Sequence, residues 1–138
     1  MVSSLAVERM TKQTMEERIF TFEDLKVWQK AVDFAELVIK AIDLFETPRK
    51  HYRLIEQLEA ASTSPSMNIA EGKGRFSRKE FIHYLYIARG SVFETITLLV
   101  IIQRMGWITD DTFGQIKAMG EEITKMLNSL IKSVKNSS

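Results

Sequence analysis

The chain contains no cysteine. That excludes disulfides, thiolate metal sites and cysteine nucleophiles, and it fits a cytoplasmic setting. Histidine is nearly as scarce, with only His51 and His83. Net charge is almost absent too: 19 lysines and arginines stand against 18 aspartates and glutamates, a formal +1. Bulk charge therefore draws no polyanion, and any affinity for nucleic acid has to come from local clustering. No uncharged apolar run reaches the length of about 18 residues that a spanning helix needs. The first twenty residues lack the apolar core and small-residue cleavage site of a signal peptide. A membrane is not an expected partner.

What is present is a chain of 138 residues, 45% of them hydrophobic. That is enough for one domain with one core. Residues 1–20 are polar and weakly periodic, and read as an arm outside the domain. Residues 21–138 carry four helical patterns and no strand-like alternation. Thr21 is placed to cap the first helix, with Asp24 three residues on. Leu25, Trp28, Val32, Ala35, Ile39 and Ile42 form its apolar seam, and the helix is expected to end near Phe45. Thr47-Pro48 reads as the next start signal. Ile55, Leu58, Ser62, Pro65 and Ile69 continue the 3-4 spacing, and Pro65 should kink this second helix. Its small residues Ala60, Ala61, Ser62 and Ser64 ask for a close neighbour.

Gly72 and Gly74 read as stop signals for the second helix. Ser77-Arg78-Lys79-Glu80 then spells a capping box that opens a third helix running to about Met105, with Gly106 beyond it. Its seam includes Phe81, Leu85, Ala88, Val92, Ile96 and Leu99. Gly90 sits in mid-helix, where glycine costs about 1 kcal/mol relative to alanine, so a tight helix contact is expected there. Thr109, followed by Asp110 and Asp111, caps the fourth helix. Its seam is Phe113, Ile116, Ile123, Leu127, Leu130 and Val134. With short connections, an all-α, antiparallel up-down-up-down four-helix bundle follows. Leu98, Ile101 and Ile102 belong to a segment that is apolar all round its helix, more than one bundle face needs, and they predict an oligomer interface.

The stretch Ser66–Arg75, SMNIAEGKGR, resembles a phosphate loop only superficially. Gly72-Lys73 is followed by Gly74 rather than Ser or Thr, and a helix precedes it, so it terminates a helix. Asn68 is expected to be half-buried and hydrogen-bonded at this corner, with Glu71 paired to a base such as Arg75 or Arg89. Glu80 and His83 have the Glu-x-x-His spacing of di-iron bundles, but the second such pair is missing, so no metal and no cofactor are expected. No acid–base or nucleophile set assembles, which argues against an enzyme. The bundle topology gathers Lys26, Lys30, Lys73, Arg75, Arg78, Lys79, Lys132 and Lys135 at one end. In a ring of subunits such an end would hold phosphate backbone without reading sequence.

Residues 22–31 (FEDLKVWQKA), Gln57-Leu58, Ser64, residues 68–72 (NIAEG), residues 77–81, residues 87–91 (IARGS) and Glu94 together resemble the four-helix-bundle family of 23S rRNA intervening-sequence proteins. The resemblance spans roughly residues 22–130. It implies a bacterial, cytoplasmic bundle that assembles into a ring, usually a pentamer, with no catalytic activity. It also implies kinship with the accessory variability protein of diversity-generating retroelements, a basic pentamer that binds a reverse transcriptase and nucleic acid. The chain departs from the pattern at Glu59 and Ala60, where the family commonly has two bases, at Ser64-Pro65, and in its near-neutral charge. The expected function is thus a non-enzymatic homo-oligomeric adaptor. It would bind RNA or DNA, or an RNA-associated partner such as a reverse transcriptase. A structural or protein-interaction oligomer without nucleic-acid affinity is the alternative.

Overall fold

The computed structural model describes residues 19–47 and 50–137. A 3-10 turn at Thr21–Asp24 leads into four helices: α1, Lys26–Ile42; α2, Tyr52–Lys73; α3, Arg78–Arg104; and α4, Asp110–Asn136. Each helix packs on its neighbours in sequence and α1 closes the ring against α4, while the backbones of diagonal helices stay apart. This is the antiparallel four-helix bundle. The expected arm lies, up to residue 18, outside the described residues.

Two helix starts and one stop follow the local rules. Ser77 Oγ accepts the Glu80 backbone N–H at 3.1 Å, and Thr109 Oγ1 accepts that of Thr112 at 3.2 Å. α3 ends in a Schellman motif. The Trp107 N–H reaches the Ile102 carbonyl and the Gly106 N–H reaches that of Gln103. Gly106 takes φ +78°, the left-handed conformation this closure requires.

The other boundaries differ from expectation. Thr21 does not cap α1, because the 3-10 turn and an extended Leu25 intervene. α1 stops at Ile42, and Leu44 and Phe45 close short turns onto Ala41 and Ile42. α2 begins at Tyr52 after His51, not at the Thr47-Pro48 signal, and Pro48 itself lies outside the described residues. The connection is anchored from elsewhere: His51 stacks on Trp107 with ring centres 4.3 Å apart, and the Glu46 N–H bonds the Trp107 carbonyl. Pro65 is buried inside α2, which runs on through it to Lys73.

The predicted seams of α2, α3 and α4 face the core, with Leu58, Ser62, Pro65, Ile69, Leu85, Val92, Leu99, Ile116, Ile123 and Leu127 all buried. In α1 the seam is rotated by one residue, about 100°. Val27, Ala31, Phe34, Val38 and Ala41 are buried, whereas Val32 and Ile39 are exposed. Two apolar stripes exist on α1, and Phe34 fits the inner one because its ring lies over Gly120 of α4. Among the described residues, the buried polar side chains Ser62 and Thr95 are satisfied inside their own helices: Ser62 bonds the Glu59 carbonyl and Thr95 that of Ser91. By length and composition α3 is apolar enough to cross a bilayer. In the bundle its apolar residues pack on both adjoining helices.

The largest helix contact is between α2 and α3. At its tightest point a Cβ built on Gly72 would stand 2.7 Å from Tyr84 Cβ and 3.3 Å from the Phe81 carbonyl oxygen. Neither atom can swing away. Gly72 is therefore a packing glycine inside α2, and Gly74, at φ −80°, ends the helix without a left-handed residue. Gly90 is the reverse of the expectation, since nothing lies within 4 Å of a Cβ built there.

The two glycines should respond oppositely to alanine. Gly72→Ala is expected to destabilise by about 1–3 kcal/mol through overpacking. Gly90→Ala is expected to stabilise by about 0.5–1 kcal/mol through helix propensity. Urea denaturation of the two variants checks both signs.

Candidate nucleic-acid interface

The corner after α2 is built around Arg75. Its guanidinium pairs with Glu71 one turn back, donates to the Tyr84 hydroxyl at 2.7 Å, lies 4.9 Å from the centre of that ring and stands 3.9 Å from Glu80. Glu71 thus finds the base Arg75, as expected, and Arg75 itself serves as a strut rather than a free surface cation. Lys73, Arg78 and Lys79 surround it, exposed and without an ion pair among the described residues. Phe76 at the tip is fully exposed.

Lys26 and Lys30 do not join this end. α1 has 17 residues against 27 in α3 and in α4. Phe34 packs on Gly120 and Lys30 lies at Glu122, so the shortfall is at this end, where α1 starts about 15 Å before α4 finishes. Lys30 pairs with Glu122 at 3.2 Å, 13 residues before Lys135 on α4. That places it roughly 20 Å along the helix from Lys135 and neutralises it. The basic end therefore consists of Lys73, Arg78, Lys79, Lys132 and Lys135.

From that end a groove runs along the seam between α3 and α4. Its tip is lined by Phe76, Ser77, Arg78, Lys79 and Lys135. Its middle is lined by Tyr86, Arg89, Asn128, Lys132 and Lys135. Beyond lies a hollow of about 430 Å³ lined by Val92, Phe93, Ile96, Gly120 and Thr124, with Lys117, Glu121 and Lys125 at its edge. Arg89 is fixed between two rings, 4.8 Å from the centre of Tyr86 and 5.9 Å from that of Phe93, and it donates to Asn128 Oδ1 at 2.9 Å. Lys135 donates to the Tyr86 hydroxyl at 2.9 Å. That hydrogen bond lowers the Tyr86 pKa. Desolvation opposes it, and the charges of Lys135 and Arg89 add to the lowering. The seam spacing of the sequence does not by itself mark Tyr86, Arg89 and Phe93 as one group. The available signal is the i, i+3, i+7 spacing of Tyr86, Arg89 and Phe93 on α3, matched by Lys125, Asn128, Lys132 and Lys135 on α4.

The opposite flank of α3 meets α2 through small polar residues. Asn68 Nδ2 donates to the Ser64 carbonyl and to Ser64 Oγ, and Ser64 Oγ shares a 2.7 Å bond with Ser91 Oγ on α3. Asn68 is half-buried, and its tie to the neighbouring helix runs through Ser64. Of the three residues assigned to an oligomer interface, Leu98 and Ile102 are 6% and 0% exposed and belong to the chain's own core. The apolar segment turns them inward toward α2 and α4, and only Ile101, 47% exposed, faces out. Met67, Ile87 and Met105 are exposed as well, with Gly90 open between them on α3. His83 is exposed beside the Tyr84 ring, and among the described residues no group of three or more His, Asp or Glu side chains is placed to hold a metal.

If the Lys135 ammonium sets the Tyr86 environment, Lys135→Met raises the Tyr86 titration back toward the ordinary tyrosine range. Titration of the ring resonances by NMR reads this directly, and an unmoved midpoint would contradict the contact.

The fold agrees with comparison to known proteins. A family model described as 23S rRNA-intervening sequence protein matches residues 23–129. A crystal structure of a protein of unknown function from the S23 ribosomal protein family of Bacteroides thetaiotaomicron is 30% identical, with a TM-score of 0.71. The alignment covers 77% of this chain and 98% of that one. A comparison with curated proteins returns no match. The four-helix bundle, the capped corner at Ser77 and the match over most of the chain lead to one assignment: this chain belongs to the family of 23S rRNA intervening-sequence proteins.

Proposed function

We propose that the protein is a non-enzymatic, self-associating cytoplasmic adaptor. It holds RNA, or an RNA-bound partner such as a reverse transcriptase, through the basic end of its bundle. The observation that carries this reading is the cluster Lys73, Arg78, Lys79, Lys132 and Lys135, which has no ion-paired carboxylate among the described residues. Near-neutral net charge makes that cluster stand out, since the other lysines and arginines are spread among acids. Contacts of this kind hold phosphates by counterion release and do not read bases. Repetition of the cluster around an assembly axis would add the fields of the subunits.

Self-association is assigned to the outward face that α2 and α3 share, where Met67, Ile87 and Ile101 are exposed around the open Gly90. The net charge of +1 favours the other reading, a protein-interaction oligomer without nucleic-acid affinity.

The two readings separate in a salt series with a structured RNA. The wild type should bind, with affinity falling steeply as salt rises. The triple variant Lys73→Ala, Arg78→Ala, Lys79→Ala should flatten the log–log slope by roughly 2 to 3 units. Absence of binding by the wild type even at low salt would leave the protein-interaction oligomer. Separately, Ile101→Glu should lower the mass seen by light scattering while helix content is kept. An unchanged mass would remove this face from the assembly.

A further inference from the structure

We infer that the groove between α3 and α4 is a track for a single-stranded polynucleotide, whose bases stack on Phe76 and Phe93 while its phosphates lie along the flanking lysines and arginines. The inference rests on the nucleic-acid reading above and replaces its end patch by a directed path.

Three observations converge. The first is shape. Three concavities follow one helix–helix seam from Phe76 to Ile96, and the 18 residues of α3 from Lys79 to Ile96 span about 25 Å. A row of concavities of that length, crossed by the Arg89–Asn128 and Lys135–Tyr86 hydrogen bonds, suits a strand of several nucleotides.

The second is charge. Arg78, Lys79 and Lys135 line the tip and Arg89, Lys132 and Lys135 the middle, with no carboxylate among the lining residues there. Lys117 and Lys125 flank the far hollow, whose lining also includes the acid Glu121. In a chain of net charge +1 this one-sided lining is complementary to a phosphate backbone.

The third is the aromatic content. Phe76 is fully exposed beside Arg78 and Lys79 at the tip, and Phe93 is half-exposed at the rim of the apolar hollow, next to Arg89. Successive bases stack on such rings regardless of sequence, and the pinned Arg89 offers a further flat cation over the same path. A duplex hides its base faces and cannot use Phe76 or Phe93 in this way. A second protein copy would leave the row of lysines unneutralised.

The test compares a fluorescently labelled oligouridine, the oligothymidine of equal length and an RNA duplex, each by anisotropy across a salt series. Three proteins are used: the wild type, Phe76→Ala/Phe93→Ala and Lys132→Ala/Lys135→Ala. Circular dichroism and light scattering are recorded for each. The wild type should prefer the single strands, and the two oligonucleotides tell RNA from DNA. The aromatic variant, which removes two stacking rings, should lose about 30-fold or more in single-strand affinity with an unchanged salt slope. The lysine variant should flatten that slope by roughly 1 to 1.5 units. Equal binding of duplex and single strand, with no loss in the aromatic variant, overturns the track and leaves the backbone-binding reading standing. A change of oligomer mass in the aromatic variant also overturns it, because the rings would then be covered by another copy. Absence of any binding removes both readings.

Discussion

The missing Cβ of Gly72 is the constraint from which the rest of the site follows. Because α2 carries no side chain there, the Tyr84 and Phe81 positions of α3 close onto its backbone. That approach sets Tyr84 where its hydroxyl and ring receive Arg75, and Arg75 in turn gathers Glu71 and Glu80 across the corner. Each exposed pair is worth little singly. Together they fix the path of residues 73–78. With the corner fixed, Lys73, Arg78 and Lys79 stand on the outer surface of the turn rather than folding back onto the acids beside them.

α3 then presents two unlike flanks. Toward α2 it offers Ser91 and meets Ser64 and Asn68, small residues whose hydrogen bonds close the seam. Toward α4 it offers Tyr86, Arg89 and Phe93, whose bulk and charge line an open groove. Helix separation is set by the side chains at the contact, so one helix can be sealed on one side and furrowed on the other. This asymmetry divides the labour proposed for the molecule. The sealed α2–α3 face, with Met67, Ile87 and Ile101 outward, suits self-association, and the furrowed α3–α4 face suits a polyanion.

Much of the bundle was legible because caps and seams are local. Ser77, Thr109 and Gly106 do what their spacing says, and three of the four seams point inward. The failures have physical causes. α1 has two apolar stripes, and the choice between them depends on the fit of Phe34 against Gly120, a contact 86 residues apart in the chain. Topology alone puts Lys26 and Lys30 at the basic end, whereas α1 starts well before that end is reached, with Lys30 paired to Glu122 in the body of α4. Gly72 read as a stop signal because a packing glycine and a terminating glycine are the same letter. The groove was invisible for a further reason: the Tyr86, Arg89 and Phe93 stripe acquires meaning only once its register against Asn128, Lys132 and Lys135 is known.

The most direct measurement is ultraviolet cross-linking of a bound single-stranded RNA, with the attached peptides identified by mass spectrometry. The account predicts cross-links on peptides containing Phe76 or Phe93, and none confined to the outward face at Met67 and Ile101. Cross-links restricted to that outward face, or to α1 around Lys26 and Lys30, would contradict it.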